Sequence, residues 1–313
     1  MATPELTSLP PGPYVMSISP ANLDGSLDKG AFVGHIRRLA AERIGVYVVG
    51  AGFGEGMVMS DDDTWSMIDL AVKELKDKTP VVAANLERTN AERNIVFTRE
   101  AAARGVDAVQ VYPASPGHMI VPSEPMFDQF FEDFFAEIKT PVVLSNNMAT
   151  GFETPLQVHA RLLDRYPNIV GFNKYHPSPA NLVKFLEVIG QRKPVFTATA
   201  SLMTSYALGG QGQLDGMPNI IPRTCRAFFD EFQAGNLQQA RLHLTRMLAT
   251  DEVMAGFKGI TGSHNLAAHK ATLGILGLPG GYPRKPWLPL DDDSIRKLSR
   301  DLDELGIRDF EGL

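Results

Sequence analysis

Eight short apolar runs, each bounded by Gly, Pro or Asn, alternate along this chain with segments of helical character, and that rhythm limits the fold more than any other feature. The runs fall at 14–18, 45–49, 80–84, 108–112, 142–144, 169–172, 195–198 and 213–215. Several are almost continuous in apolar or β-branched residues, as strands buried on both faces of a parallel sheet must be. The intervening stretches carry helix signals. Ser60 stands before Asp61, Asp62 and Asp63, a side-chain cap followed by carboxylates where the helix dipole favours them. Thr89 and Asn90 open AERNIVFTREAAA, which Gly105 closes, and Pro155 and Pro179 mark two further helix starts. Strict β–α alternation leaves a closed barrel or an open doubly wound sheet, and a count of eight favours the barrel. The predicted fold is therefore α/β, a (β/α)8 TIM barrel over residues 1–236. From 237 to 313 the pattern turns purely helical, which predicts a C-terminal helical extension packed on the barrel rather than an independent domain.

Length and charge narrow the function classes. A chain of 313 residues suits a barrel of roughly 250 residues plus an extension. The net charge of −6, with no basic patch interleaved with aromatics, argues against nucleic acid as a partner. One cysteine, Cys225, excludes a disulfide framework and reads as a buried thiol on a helix. No apolar run approaches a membrane span, and the N-terminus lacks the basic and apolar regions of a secretory signal, so a cytoplasmic protein without membrane association is expected. No metal is expected, because no His-x-x-x-His or carboxylate cluster has ligand spacing, and His264 and His269 read as remote from the barrel mouth. The glycines of GAGFGEG do not meet Gly-x-Gly-x-x-Gly spacing and no Walker lysine follows, so no cofactor is expected.

Five segments, in order, resemble a known family. SPANLDGSLD is similar to a Thr-Pro segment followed by Asp-Gly-x-Ile-Asp, and GFGEGMVMSDDD to Gly-Thr-Thr-Gly-Glu…Leu-Ser, with Gly54, Glu55 and Ser60 matching. PNIVGFNK resembles a sixth-strand lysine motif, and ALGGQGQLDGMPN an eighth strand closed by Asn219. HKATLGILGLPGGYPRKPWLPL looks like Lys-x-x-Leu…Gly-Leu…Arg-x-Pro-Leu-x-Pro-Leu. Together they resemble the dihydrodipicolinate synthase/N-acetylneuraminate lyase superfamily. The resemblance implies a barrel lysine that attacks a 2-oxo acid as a neutral amine, with the iminium acting as an electron sink. It also implies a fifth-strand tyrosine that shuttles protons, and a homotetramer or homodimer.

The departures from that pattern fall at the chemistry. The family's Tyr-Asn-x-Pro reads here Ser145-Asn146-Asn147-Met148, which puts Ser145 in place of the tyrosine. The Thr-Thr pair reads Gly52-Phe53, and the fifth-strand arginine is missing from MATG. Direct alignment of the sixth strand puts Asn173 in the lysine position and Lys174 one place later. Strand alternation then aims Lys174 away from the lumen, whereas a bulge or a strand end at Phe172 turns it inward. Both outcomes stay open. Asp215 at the end of strand eight is an acid/base candidate or a turn cap, and Arg88 a carboxylate clamp or a solvated loop residue. Tyr175 and His176 follow Lys174 and offer acid/base groups; His118 is a weaker candidate, and Glu55 reads as a loop holder. The expected site is thus Lys174, Asn173, Ser145 and Asp215 for catalysis, with Gly52, Phe53, Gly54, Glu55, Asn146, Arg88 and Tyr175 around the substrate.

The leading expectation is a lyase of the class I pyruvate-aldolase type, acting on a 2-oxo acid or sugar acid through an imine on Lys174, but not a dihydrodipicolinate synthase. The alternative is a repurposed barrel without Schiff-base chemistry that binds or transforms a small acidic metabolite. A purely structural oligomer is a third class, which the polar mouth residues disfavour.

Overall fold

The computed structural model describes residues 6–86, 89–115, 120–147, 151–176, 178–257 and 265–313. Eight strands follow one another in chain order around a closed barrel: β1 (Gly12–Met16), β2 (Gly45–Val48), β3 (Val81–Ala84), β4 (Ala108–Val111), β5 (Val142–Asn147), β6 (Ile169–Tyr175), β7 (Val195–Thr197) and β8 (Gly212–Asp215). The β1–β2 pairing and the ladder from β3 to β8 are parallel. A helix follows each strand: α1 (Lys29–Ala41), α2 (Asp61–Leu75), α3 (Ala91–Ala103), α4 (Glu124–Glu137), α5 (Leu156–Arg165), α6 (Pro179–Phe185), α7 (Leu202–Ala207) and α8 (Pro222–Gln233). Then come α9 (Leu237–Ala255) and, among the described residues, the helices Leu266–Ile275, Asp292–Leu305 and Ile307–Glu311. This is the TIM barrel that the alternation predicts. None of the described helices is long and apolar enough to cross a membrane.

Local chemistry explains where the elements start. The Ser60 hydroxyl accepts from the Asp63 N–H at 3.2 Å and Asn90 Oδ1 accepts from the Arg93 N–H at 3.0 Å, so both expected caps form. In α4 the apolar residues repeat at helical spacing. Phe127, Phe130, Phe131, Phe134 and Phe135 are all buried, while Asp128, Glu132 and Asp133 take the other side. Cys225 is buried on α8, as expected.

Two strands run further than the sequence suggests. β5 and β6 were expected to end at 144 and 172, but they continue together through the pairs Ser145–Asn173, Asn146–Lys174 and Asn147–Tyr175. Each extension supplies the hydrogen-bond partners of the other, which neither run advertises alone.

The chain forms two compact units, one of Met1–Pro11 with Val82–Leu214, the other of Gly12–Val81 with Asp215–Leu313. In the second, α9 packs on α8, and the helix Asp292–Leu305 packs on both α9 and the helix Leu266–Ile275. Ile18, just beyond β1, clusters with Leu266 and Leu273, flanked by Phe53, Leu278 and Trp287. The helices after residue 237 therefore share a unit with the first two strands.

Candidate active site

The sixth strand sets the question, because its side chains alternate. Phe172 packs edge-on against His159 of α5 and Phe185 of α6, at centroid distances of 5.2 and 5.6 Å, so Phe172 faces the helices. Asn173 then faces the interior of the barrel, and Lys174 returns to the helix side. Regular pairing continues through Tyr175 and the register shift lies at the far end of β5, near Val142 and Val143, so no bulge turns Lys174 inward.

On the inner face, Ser145 and Asn173 are register partners and both are buried. Gln110 of β4 joins them, its Nε2 donating to Ser145 Oγ at 3.0 Å. Phe196 of β7 pairs in register with Asn173, and a Cβ on Gly171 would lie 3.3 Å from its ring. The result is a set of neutral amides and a hydroxyl, able to donate to and accept from a small polar molecule. Gln110 escaped the sequence reading; the one signal was an amide inside the apolar run AVQV.

The helix side of β6 is charged. The Lys174 ammonium pairs with Glu153, whose Oε2 also accepts from Asn181 Nδ2 at 3.1 Å and lies 3.9 Å from His176 Nε2. The Lys174 side chain is 1% exposed, and Nζ sits 5.2 Å from the centroid of the Phe185 ring. Burial pulls the Lys174 amine below its usual range, while its hydrogen bond to Glu153 and the carboxylate charge oppose that shift. Burial, assisted by the Lys174 charge, pushes the neighbouring His159 down to about 3. Asn146, on the same side as Lys174, is clamped to one residue: it accepts from the Thr154 N–H at 3.0 Å and donates to the Thr154 carbonyl at 3.3 Å. Tyr175 ends the strand half-exposed, and His176 Nδ1 accepts from the Ser178 N–H at 2.9 Å.

The loop after β2 belongs to the other unit. Val49 and Glu55 both adopt left-handed backbone, costly for residues with a side chain. Gly54 packs so tightly on Gly50 that a Cβ would lie 2.5 Å from the Gly50 nitrogen. Glu55 is fully buried and explains how the strain is held. It accepts from Ser19 Oγ at 2.9 Å and from the Arg284 backbone N–H at 2.6 Å, and pairs with both Lys270 and Arg284. This is the loop-holding role expected of Glu55. Burial lowers Lys270 to about 8 against the pull of Glu55. Phe53 lies 4.6 Å from His269 with the two rings tilted at 56°, so His269, expected to be remote, meets a residue expected around the substrate. Phe53 also covers Gly216, where any side chain would overlap its ring.

Asp215 ends β8 half-buried and accepts from the Met217 N–H at 3.0 Å, a turn-capping bond. Asn219 ties this turn to β1: its Oδ1 accepts from the Ile18 N–H at 3.1 Å and lies 3.0 Å from His35 Nε2, and its Nδ2 donates to the carbonyls of Met16 and Gly216. Arg88, Glu87 and His118 lie outside the described residues. Among the described residues no three His, Cys, Asp or Glu side chains cluster as metal ligands would.

Comparison with known proteins agrees with this architecture. Residues 12–305 match the Dihydrodipicolinate synthetase family. The 4-hydroxy-tetrahydrodipicolinate synthase of Maridesulfovibrio salexigens is 24% identical over 302 residues, covering 95% of this chain and 98% of that protein. Among solved structures, YagE of E. coli K12, a member of the same family in complex with pyruvate, superposes with a TM-score of 0.84 at 22% identity, covering 96% of this chain and 99% of that one. The sialic acid aldolase of Ruminococcus gnavus gives a TM-score of 0.82 at 20% identity, covering 95% and 98%. With a match that spans nearly the whole chain, motifs in the family's order and the barrel itself in place, this protein belongs to the dihydrodipicolinate synthetase family.

Proposed function

We propose that this barrel is a lyase acting on a small 2-oxo acid or sugar acid, held by hydrogen bonds on the inner face of β4–β6 rather than by a lysine imine. One observation carries the reading: on β6 the side chain sharing a face with Ser145 is Asn173, and Lys174 lies opposite, buried against Phe185 and paired with Glu153. An imine needs a neutral amine with an open approach to a carbonyl carbon. The Lys174 amine is buried and engaged by Glu153, and reaching the inner face would require a bulge or a one-residue slip of the strand. Asn173 and Ser145 instead offer hydrogen bonds, which can polarise a carbonyl and steady an enolate as it forms. With Ser145 standing where the family resemblance implies a tyrosine, the proton relay of a dihydrodipicolinate synthase is not expected. Pure protein should therefore fail to condense pyruvate with aspartate semialdehyde at rates of ~1 s⁻¹ or more.

Calorimetric titration with pyruvate and with a sugar acid tests the reading. Binding by the wild type, weakened about tenfold or more in Asn173→Leu while Lys174→Met binds as well as the wild type, is the expected result. Loss of binding in Lys174→Met alone, with the fold intact, would remove the basis for it.

A second reading keeps the class I mechanism with Lys174 as the imine-forming residue. One observation favours it, the lowering of the Lys174 amine by burial, which is the direction an imine lysine needs. It requires that borohydride reduce a pyruvate imine on Lys174 of the wild type to a stable amine adduct.

A further inference from the structure

The amide of Gln110 is used at one end only. Its Nε2 donates to Ser145 Oγ at 3.0 Å, while its Oε1 is buried and has no hydrogen-bond partner. The residue as a whole is 1% exposed. Buried amide oxygens without a donor are rare, and in a site they commonly mark where a ligand or a bound water completes the bonding.

The direction of that oxygen follows from the strands. Gln110 pairs in register with Val143, which lies two residues before Ser145 and so on the same face, and Ser145 pairs with Asn173. All three side chains therefore stand on the inner face, opposite Phe172 and the helices. Beside Ser145 and Asn173, the Gln110 side-chain oxygen is thus an unused acceptor on that face.

Small acids differ sharply in how they meet this arrangement. At neutral pH pyruvate has acceptors only, two carboxylate oxygens and a ketone, and gives Gln110 Oε1 nothing. A hydroxylated acid brings an O–H donor along with the same acceptors. We infer that Gln110 is a specificity residue whose side-chain oxygen accepts from a substrate hydroxyl, so that the site takes hydroxylated acids in preference to pyruvate. The inference rests on the reading that the ligand is held by hydrogen bonds on the inner face of β4–β6. A site built to bond a hydroxyl rejects the analogue lacking it, because the buried partner is then left unmade.

Hydroxypyruvate and pyruvate differ by one hydroxyl and serve as the probes. Titration calorimetry on the wild type, Gln110→Leu and Gln110→Met reads the effect, the unbranched Met keeping the length of the side chain should Leu disturb the strand. The wild type should bind hydroxypyruvate about tenfold or more tightly than pyruvate. In the variants that preference should fall to about twofold or less, chiefly through loss of hydroxypyruvate affinity, with far-UV circular dichroism unchanged. Equal binding of the two acids by the wild type, or a preference that survives both substitutions, overturns the inference and leaves the hydrogen-bonded site standing. If the wild type binds neither acid nor a longer hydroxylated sugar acid, the inference and the reading beneath it fall together.

Discussion

His159 carries two ring nitrogens that are buried without hydrogen-bond partners, between Phe172 and Phe185. Its ordinary value of 6.5 is depressed to about 3 by burial and then by Lys174, and burial depresses His35 to about 3 as well. Between those values the unfolded chain binds protons that the folded chain refuses. Stability must therefore fall as pH drops from 6.5 towards 3, by up to about 1.4 kcal/mol per pH unit for each group. His159→Leu should remove one of the two contributions and cost little at pH 7, where the imidazole makes no bond. Urea unfolding at pH 7 and pH 5 checks this, and an unchanged pH slope would count against it. Lys174 gives a second prediction. Removing one partner of a buried pair strands the other charge, so Lys174→Met should cost about 3–5 kcal/mol, most of it recovered when Glu153→Leu is added. A lysine standing in an open lumen would show neither loss nor recovery. At this scale the sequence was half legible. Alternation puts Asn173 and Lys174 on opposite faces only if the strand runs on past Phe172, and that depended on the β5 residues that extend beside it. Gln110 was missed because its contact is with Ser145, 35 residues away, and leaves no local trace.

Helix starts divide by how local their chemistry is. The caps of α2 and α3 come from Ser60 and Asn90, three residues before the N–H groups they satisfy, and both were readable. The start of α8 is different. Its first N–H groups, on Arg223 and Thr224, donate to Glu311 at 3.1 and 2.9 Å, and the Thr224 hydroxyl does so at 2.6 Å. That carboxylate lies 87 residues beyond Thr224, on the last helix, and no pattern around residue 222 announces it. Burial raises Glu311 above the usual carboxylate range, against the pull of these donors. Glu311→Ala should destabilise the protein by about 1–3 kcal/mol, since it leaves buried donors unmet. Chemical denaturation reads the loss; a variant as stable as the wild type would mean that water serves the helix equally well.

At the scale of the whole molecule, the fold was legible because its signals repeat: eight apolar runs, helix caps and five motifs in order, any one of them weak. What joins distant segments was not. Glu55 in the loop after β2 meets Lys270 and Arg284, more than 200 residues away, and His269 reaches Phe53 from the same helix as Lys270. The extension thus takes part in shaping the loop. Glu55→Gln should cost about 3–5 kcal/mol by leaving two buried cations without their carboxylate, and differential scanning calorimetry would detect it as a large fall in Tm. The family relationship accords with the barrel, and the proposed chemistry rests on the side chains of the inner face of β6. Borohydride reduction with pyruvate, read by peptide mass spectrometry on the wild type and on Asn173→Lys, tests that placement most directly. The account predicts no adduct on the wild type and a reduced pyruvate adduct on residue 173 of the variant; an adduct on Lys174 of the wild type would contradict it.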